Sequence, residues 1–430
     1  MASNSNSRLL AAGAVAGLVV LALALTARPA RTQTDVRIGV QTSGSTKSPL
    51  LLATFRGPGV ADGVRDVPRG DFELSGLFNV RDVPPLETKL SPDASLSGGV
   101  RVEGLVEAEG AGWKFTGEVF DLGTAESVFR RAYTFDRGSL RATLHRFSDD
   151  VIEALTGERG ICETSVAFVR QSGRVKEVWV MDYDGENQRQ VTHDRSIALS
   201  PAWAPWGSEF AFTTFKRGNP DIYLFDLRRG ASFPFSTRPG LNTAPSYSPD
   251  GKWIACTLSR DGNAEIYLVS RDAQTARRLT RNPRIDSSPC FSPTGREIVF
   301  TSDRGGSPQL YVMDTEGLNQ RLLTLEGKYN DSAQWSPKGE KITYAARHDG
   351  TFDVVIIESD GQNAVQVTSE AGQNENPRWS ADGRKIYFSS SRTGRRQIYL
   401  MNPDGSDVVQ LTKNDENYNP SAGPQVRKKG

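Results

Sequence analysis

The chain has 430 residues, of which 52 are basic, 51 are acidic and 37% are hydrophobic. This length allows two or three domains with a large core, and the composition excludes both a polytopic membrane protein and a disordered chain. The near balance of charge argues against a general nucleic-acid binder, which would be strongly basic.

The first predicted element is an export signal. Residues 1–8 carry one charge, Arg8, and the uncharged run Leu9–Leu25 follows. A charged start, an apolar run and small residues after it are typical of a secretory signal, so residues 1–30 are predicted to be a signal peptide. An uncleaved anchor is the alternative, because the run is nearly as long as a membrane span of about 20 residues. After cleavage no direct membrane span is expected, and in either case the bulk of the protein lies outside the cytoplasm.

An N-terminal α/β domain is predicted from residue 31 to residue 157. A helix should begin near Ser139 and end at Thr156, with Gly157 just beyond its last turn. Its apolar positions recur at steps of three and four residues: Leu140, Leu144, Phe147, Val151 and Leu155. The expected strands are Arg37–Val40, Leu50–Phe55 and an antiparallel run of Val100–Val106, Trp113–Phe120 and Val128–Phe135. The proline-rich segment Asp66–Pro85 predicts no regular element.

A repeat of 44 residues organises the rest of the chain. Aromatic-centred segments follow this spacing: Pro201-Ala-Trp203, Pro245-Ser-Tyr247, Pro289-Cys-Phe291, Ala333-Gln-Trp335 and Pro377-Arg-Trp379. One series of glycines keeps the same register: Gly207, Gly251, Gly295, Gly339 and Gly383. Agreement of this kind across several residue types excludes chance and indicates a repeat fold.

Each repeat unit is predicted to contain four short strands. Ile254–Leu258 is a short apolar run, whereas Glu265–Val269 alternates more strictly. Glycine-containing turns separate the strands, such as Pro249-Asp-Gly251 and Arg260-Asp-Gly262, because glycine supplies the positive φ that tight turns require. Four strands in about 40–50 residues are typical of a β-propeller blade.

The two ends of the repeat array predict a closed ring of six blades. Before Trp203 there is room for three strands, and after Thr412 there is one strand, at Pro420–Pro424. The last strand should complete the first blade and so remove an open edge. The sequence therefore predicts an all-β six-bladed propeller over residues 158–424, followed by a basic tail over residues 425–430.

The chain shows no signature of catalysis, so it is not expected to be an enzyme. The serine-nucleophile motif G-x-S-x-G does not occur, and the three histidines are far apart in sequence. Cys256 and Cys290 lie in strand-like apolar surroundings and are interpreted as small buried hydrophobic residues. Asp182-Tyr-Asp184-Gly185 lacks the later ligands of a calcium loop and is interpreted as a strand turn. No catalytic residue, cofactor site or metal site is predicted.

One polar series has two interpretations. Its members precede the inner strands of successive blades: Asn242, Asp286, Asn330, Asn374 and Asn417. They could ring one mouth of the central channel and take part in docking, since loops at one end of a propeller form a natural binding surface. Alternatively, they shape the inter-blade turns through side-chain to backbone hydrogen bonds. The two interpretations are compatible.

The order of these segments resembles the TolB family, the periplasmic propeller proteins of Tol–Pal systems. Asp35-Val-Arg-Ile38 is similar to the start of the mature family members, and Ser75-Gly-Leu-Phe78 is similar to their Ser-Gly-x-Phe element. Leu155-Thr-Gly-x-x-Gly160, followed by Ala167-Phe-Val169, resembles the junction between their domains. Together these matches extend over about residues 33–424.

The resemblance implies a non-enzymatic periplasmic adaptor of a Gram-negative bacterium. Residues 33–43, with Asp35, Val36, Arg37 and Ile38, would bind the inner-membrane protein TolA. The propeller mouth would bind the outer-membrane lipoprotein Pal, and other outer-membrane proteins would be further partners. Family positions at that mouth correspond to Leu241, Ala244 and Ser287. The implied role is in outer-membrane invagination during cell division and in envelope integrity.

Four positions depart from the family pattern. Leu241 stands where the family usually has histidine, and Ala422 stands where it has an aromatic residue. Pro68 and Gly70 fall in the family's first helix, which should therefore be short or kinked here. The alternative to the adaptor is a secreted propeller enzyme or a module that binds carbohydrate or peptide.

Overall fold

The structure is a computed structural model that describes residues 47–57 and 64–426. The predicted signal peptide, the strand at Arg37–Val40 and the segment Asp35–Ile38 lie outside the described residues. Among the described residues, none of the helices has the length and apolar character needed to cross a membrane.

The first part of the described chain is an α/β region, defined here by its elements from β1 to α2. Their bounds are β1 Ser48–Ala53, α1 Asp66–Ser75, β2 Phe78–Val83, β3 Val100–Glu109, β4 Gly112–Asp121, β5 Ser127–Phe135 and α2 Leu140–Thr156. The strands form one sheet in the order β2-β1-β3-β4-β5. Strand β1 runs parallel to β2 and β3, whereas β3, β4 and β5 form the predicted antiparallel run.

Helix α2 matches its prediction and covers the sheet. It ends at Gly157, which adopts the left-handed conformation with φ 77°. The ring of Phe147 packs edge-on against Phe115 with centroids 5.1 Å apart. A Cβ at Gly117 would lie 2.2 Å from the Phe147 ring, so the glycine allows the helix to approach β4 closely.

The segment Asp66–Pro85 is more regular than the sequence predicted. It contains the ten-residue helix α1 and the strand β2. Pro68 is the third residue of α1, where a missing backbone N–H costs nothing because first-turn N–H groups have no intrahelical partner. Prediction from local composition failed because proline at a helix start and proline in a loop look alike in sequence.

The remaining described residues form six four-stranded sheets arranged as the blades of a β-propeller. The strands of the first three blades in chain order are β6 Ser165–Ser172, β7 Val175–Asp182, β8 Arg189–Gln190, β9 Ala198–Trp203, β10 Glu209–Thr214, β11 Asp221–Asp226, β12 Ala231–Ser236, β13 Asn242–Tyr247, β14 Trp253–Leu258, β15 Glu265–Ser270 and β16 Ala276–Arg278. Those that follow are β17 Asp286–Phe291, β18 Glu297–Ser302, β19 Gln309–Asp314, β20 Arg321–Leu322, β21 Asn330–Trp335, β22 Lys341–His348, β23 Thr351–Glu358, β24 Val365–Gln366, β25 Asn374–Trp379, β26 Ile386–Ser390, β27 Gln397–Met401, β28 Val409–Gln410 and β29 Glu416–Ala422.

The blades pack against one another through alternate residues of their central strands. In β14, Ile254, Cys256 and Leu258 join the apolar core shared with the preceding blade, whereas Ala255 joins the core shared with the next. Side chains of a strand alternate between its two faces, so a strand buried on both sides reads as a continuous apolar run. Cys256 is fully buried as predicted, but Cys290 is half-buried beside the channel because it lies on an inner strand.

The C-terminal strand closes the ring, which confirms the prediction of six blades. Strand β29 pairs antiparallel with β6, and the resulting sheet has the order β29-β6-β7-β8. The Trp203 indole donates a hydrogen bond of 2.9 Å to the Ser421 carbonyl and so fastens the second blade to this strand. The small Ala422 packs at the edge of the apolar cluster that joins the first and last blades.

Candidate functional site

The two ends of the propeller are distinguished by the α/β region. Glu158, just after α2, pairs with Arg384 at 2.8 Å and with Lys338 at 3.4 Å. These two cations lie in the turns that follow inner strands, so the α/β region occupies that end. The inter-blade loops that precede the inner strands lie at the other end, called here the mouth face (residues 193–197, 237–241, 281–285, 325–329, 369–373 and 413–415).

The five polar residues predicted at the mouth are completely buried. Asn242 donates to the carbonyls of Arg238 at 2.7 Å and Gly240 at 3.1 Å, and accepts from the Ser236 hydroxyl at 2.7 Å. The loop before β13 therefore wraps around this amide. Comparable contacts are made from Asn330 to Glu326, from Asn374 to Gly372 and from Asn417 to Asn414.

Asp286 replaces the amide of the other blades with a charge. Its carboxylate accepts from Asn282 at 2.6 Å and from the Arg304 guanidinium at 2.9 Å. Burial raises the pKa of Asp286, although Arg304 opposes that rise. The four asparagines make the side-chain to backbone hydrogen bonds of the turn-shaping interpretation, whereas Asp286 is held by side chains. A partner at the mouth face would meet the loops that the five residues hold, and their part in binding stays a prediction.

Three consecutive blades each expose one large apolar side chain at the mouth face, beside exposed charged residues of the same loops. Leu241 is 43% exposed, Ile285 53% and Ile197 36%, and each directly precedes an inner strand. Sequence reasoning singled out Leu241 but missed Ile197 and Ile285, although the 44-residue register carries the signal. The half-buried Ala244 lies three residues beyond Leu241, and the half-buried Ser287 lies two residues beyond Ile285, each within its inner strand.

The inner strands line a central channel of about 500 Å³. Each of the six strands has one residue with positive φ, between 45° and 59°: Ser200, Ala244, Ser288, Ser332, Asn376 and Asn419. The pairing register shifts at the same place, for example between Thr243 and Ser246, which is the mark of a β-bulge. Such conformations cost energy outside glycine and tend to gather at functional sites.

A second polar cluster joins the α/β region to the propeller. Asp71, His145 and Asp184 place ligand atoms within 4.8 Å of one another, the one group of this kind among the described residues. The Nδ1 atom of His145 lies 2.9 Å from Asp71, which also accepts from the Tyr183 hydroxyl at 2.7 Å. Asp184 is paired with Arg141. Because these oxygens already have partners, the cluster serves as a charged link, and spacing in sequence could not reveal it.

The surroundings of the His145 imidazole raise its pKa. Burial lowers the pKa of His145, but the Asp71 carboxylate outweighs burial, and the net pKa lies above the usual value. Burial also raises the pKa of Asp184, against the opposing effect of Arg141. The Nε2 atom of His145 is buried without a hydrogen-bond partner and lies 4.0 Å from Asp182.

Comparisons with known proteins give a consistent result. The model of the TolB beta propeller domain matches residues 152–370 and 335–429. The chain is 34% identical over 209 residues to a "Protein TolB homolog" of Chlorobium chlorochromatii, a match that covers 45% of this chain and 47% of the relative. It is 33% identical over 216 residues to the "Tol-Pal system protein TolB" of a Polaromonas species, covering 48% and 51%.

The solved structure of TolB from Acinetobacter baumannii resembles the whole described fold. Its TM-score is 0.79 at 26% sequence identity, and the match covers 89% of this chain and 98% of that one. The chain thus spans about half the length of the curated relatives that it matches in sequence, whereas its fold matches nearly all of a solved relative.

Proposed function

The chain belongs to the TolB family, and from this premise we propose that it is a non-enzymatic periplasmic adaptor of a Tol–Pal system. In this role it links the inner-membrane protein TolA to the outer-membrane lipoprotein Pal. The assignment to this system is supported by the name of the Polaromonas relative, "Tol-Pal system protein TolB". Its work would be envelope integrity and outer-membrane invagination during cell division.

The observation that carries the proposal is the exposed apolar series Ile197, Leu241 and Ile285. Apolar side chains exposed at the same position of three consecutive blades offer a repeated contact for a protein partner. The α/β region packs against the opposite end of the propeller through Glu158 and its neighbours. The described α/β region therefore leaves the mouth face open to a lipoprotein.

Capture from a solubilised envelope tests the Pal half of this proposal. The full chain is expected to retain a lipoprotein that carries a peptidoglycan-binding domain. Leu241→Asp should weaken this binding by roughly tenfold or more, because a charge replaces an apolar contact at the centre of the surface. Leu318→Asp is the matched control, since Leu318 is 63% exposed but lies in a turn at the other end of its blade.

Two results would count against the adaptor. Equal retention by the Leu241→Asp and Leu318→Asp variants would place the docking surface elsewhere. Capture of no envelope protein, together with binding of sugars or peptides, would favour the alternative of a secreted binding module. Unchanged melting temperatures for both variants would exclude misfolding as the cause of lost binding.

A further inference from the structure

Arg378 is the one charged side chain among the described residues that line the central channel. It belongs to the inner strand β25. The equivalent positions of the other inner strands carry Ala202, Ser246, Cys290, Gln334 and Ser421. A volume of about 500 Å³ lies within the range of about 300–1,000 Å³ that small-ligand sites occupy.

The guanidinium of Arg378 has neutral partners. Its Nη1 atom donates to the carbonyls of Pro377 at 2.9 Å and Ser332 at 3.1 Å. Among the described residues, the hydrogen bonds and ion pairs recorded for this side chain involve neither Nε nor Nη2 and include no carboxylate. The Asp331 carboxylate, on the neighbouring inner strand, accepts instead from the Thr301 hydroxyl at 2.7 Å.

This arrangement leaves a cation without compensation. Burial lowers the pKa of Arg378, and Cys290 and Asp331 oppose that fall. Arg378 is half-buried, and a charge partly removed from water is costly unless an opposite charge and hydrogen bonds replace the lost hydration. The free edge of a guanidinium offers two parallel N–H donors, which match the two oxygens of a carboxylate.

The rest of the lining fits one negative charge. Ser288, Ser332 and Asn419 line the channel with hydroxyl and amide groups that can donate to an anion. The described lining contains no carboxylate that would repel an anion and no second cation to compensate a dianion such as phosphate. A singly charged, planar anion is therefore the best match.

From these contacts we infer that the central channel binds a carboxylate at Arg378. The carboxylate belongs either to a small free acid or to an acidic side chain of a peptide that enters the channel. Binding relieves the uncompensated charge and thereby stabilises the closed ring of blades. This site is separate from the docking of Pal at Leu241, so a failure of the adaptor proposal leaves it standing.

Thermal unfolding of the full chain in sodium acetate tests the site, with sodium chloride of equal ionic strength as the reference. Acetate is expected to raise the melting temperature more than chloride does. The Arg378→Gln variant should need at least about tenfold more acetate for the same rise in melting temperature, because the charge and the two parallel donors are lost. Arg217→Gln is the matched control, since Arg217 is exposed and lies outside the channel lining.

Peptides identify the source of the carboxylate. Acetyl-Gly-Glu-Gly-amide and acetyl-Gly-Gln-Gly-amide are compared by calorimetric titration into the wild-type chain. Binding of acetate alone identifies a small acid as the ligand, and binding of the glutamate peptide but not the glutamine peptide identifies an acidic side chain.

The inference is wrong if chloride stabilises as much as acetate while the two peptides bind equally or not at all. It is also wrong if Arg378→Gln responds to acetate as the wild type does. If that variant does not fold, Arg378→Lys takes its place. It keeps the charge but loses the two parallel donors, so it should need several-fold more acetate, and an unchanged requirement would overturn the inference.

Discussion

At the scale of single residues, Gly160 is constrained by the buried carboxylate of Asp149. Asp149 accepts from the backbone N–H of Cys162 at 2.8 Å and of Glu163 at 3.0 Å. Burial raises the pKa of Asp149 to about 6, although these two hydrogen bonds act to lower it. A Cβ at Gly160 would lie 2.4 Å from the Asp149 carboxylate and 3.0 Å from Ile152. The passage from α2 to the propeller therefore requires glycine at this point.

Gly160→Ala is expected to lower the free energy of unfolding by roughly 1–3 kcal/mol, because the held carboxylate cannot move away without losing its hydrogen bonds. Gly70→Ala is the matched control. A Cβ at Gly70 meets no atom within 4 Å, and alanine in a helix is better than glycine by roughly 0.5–1 kcal/mol. Denaturant unfolding measures both variants, and equal stabilities would contradict the steric argument.

At the scale of elements, His145 connects three segments of the structure. It lies on α2, donates to Asp71 on α1 and faces Asp182 at the end of β7. Its ring packs edge-on against Tyr183 with centroids 5.7 Å apart. The contacts of this imidazole therefore contribute to the attachment of the two helices to the first blade.

The stability that His145 contributes should depend on pH. Its pKa is raised in the folded chain, so this contribution is fully present below about pH 6.5 and is lost as the pH rises through the folded pKa. His145→Gln should remove this part of the pH dependence. It should lower the free energy of unfolding by roughly 1–3 kcal/mol at the acidic end, because the buried Asp71 loses the imidazole as its partner and keeps only Tyr183.

Unfolding free energies measured from below pH 6 to above pH 8 would show the effect. The raised pKa of Asp149 also lowers the free energy of unfolding as the pH rises from about 4 to about 6, because the buried carboxyl must then lose its proton. This loss should persist in the His145→Gln variant. His348→Gln, at the exposed end of β22, is the control and should keep the wild-type profile. A His145→Gln profile parallel to that of the wild type would exclude a charged link.

At the scale of the whole molecule, the ring depends on its last strand. Strand β29 contributes Tyr418 and Ser421 to the pairing with β6, beside the fully buried Val166 and Phe168. Gln425 donates to the carbonyls of Arg159 at 2.9 Å and Gly160 at 2.7 Å. The same segment thus closes the propeller and reaches the junction with the α/β region.

A chain that ends after Thr412 should lose most of its thermal stability. Without β29 the edge of β6 is unpaired and the apolar residues of the first blade lose their cover. A synthetic peptide of residues 413–426 is expected to restore part of the melting temperature when added to the shortened chain. An unchanged melting temperature after truncation would show that the strand does not close the ring.

Predictability from the sequence differs between the blades and the sites. The 44-residue register predicted the strands, their turns and the closing strand, and the spacing of Leu144, Phe147 and Val151 predicted α2. Local composition did not predict α1, because Pro68 reads as a helix breaker unless its place in the first turn is known, and only the family resemblance pointed to a helix there. The register also placed Leu241 at the mouth face but could not tell that Asn242, its neighbour, is buried.

By itself the sequence determined the repeat architecture, because periodic apolar and turn residues act locally and in the same way in every blade. Only the tertiary structure decided where charge is paired. Asp71 and His145 lie 74 positions apart and meet through the packing of two helices on a blade. Arg378 has no carboxylate partner in the described lining of the channel, because the five other inner strands contribute none. Contacts of this kind depend on long-range packing, which local periodicity in the sequence does not predict.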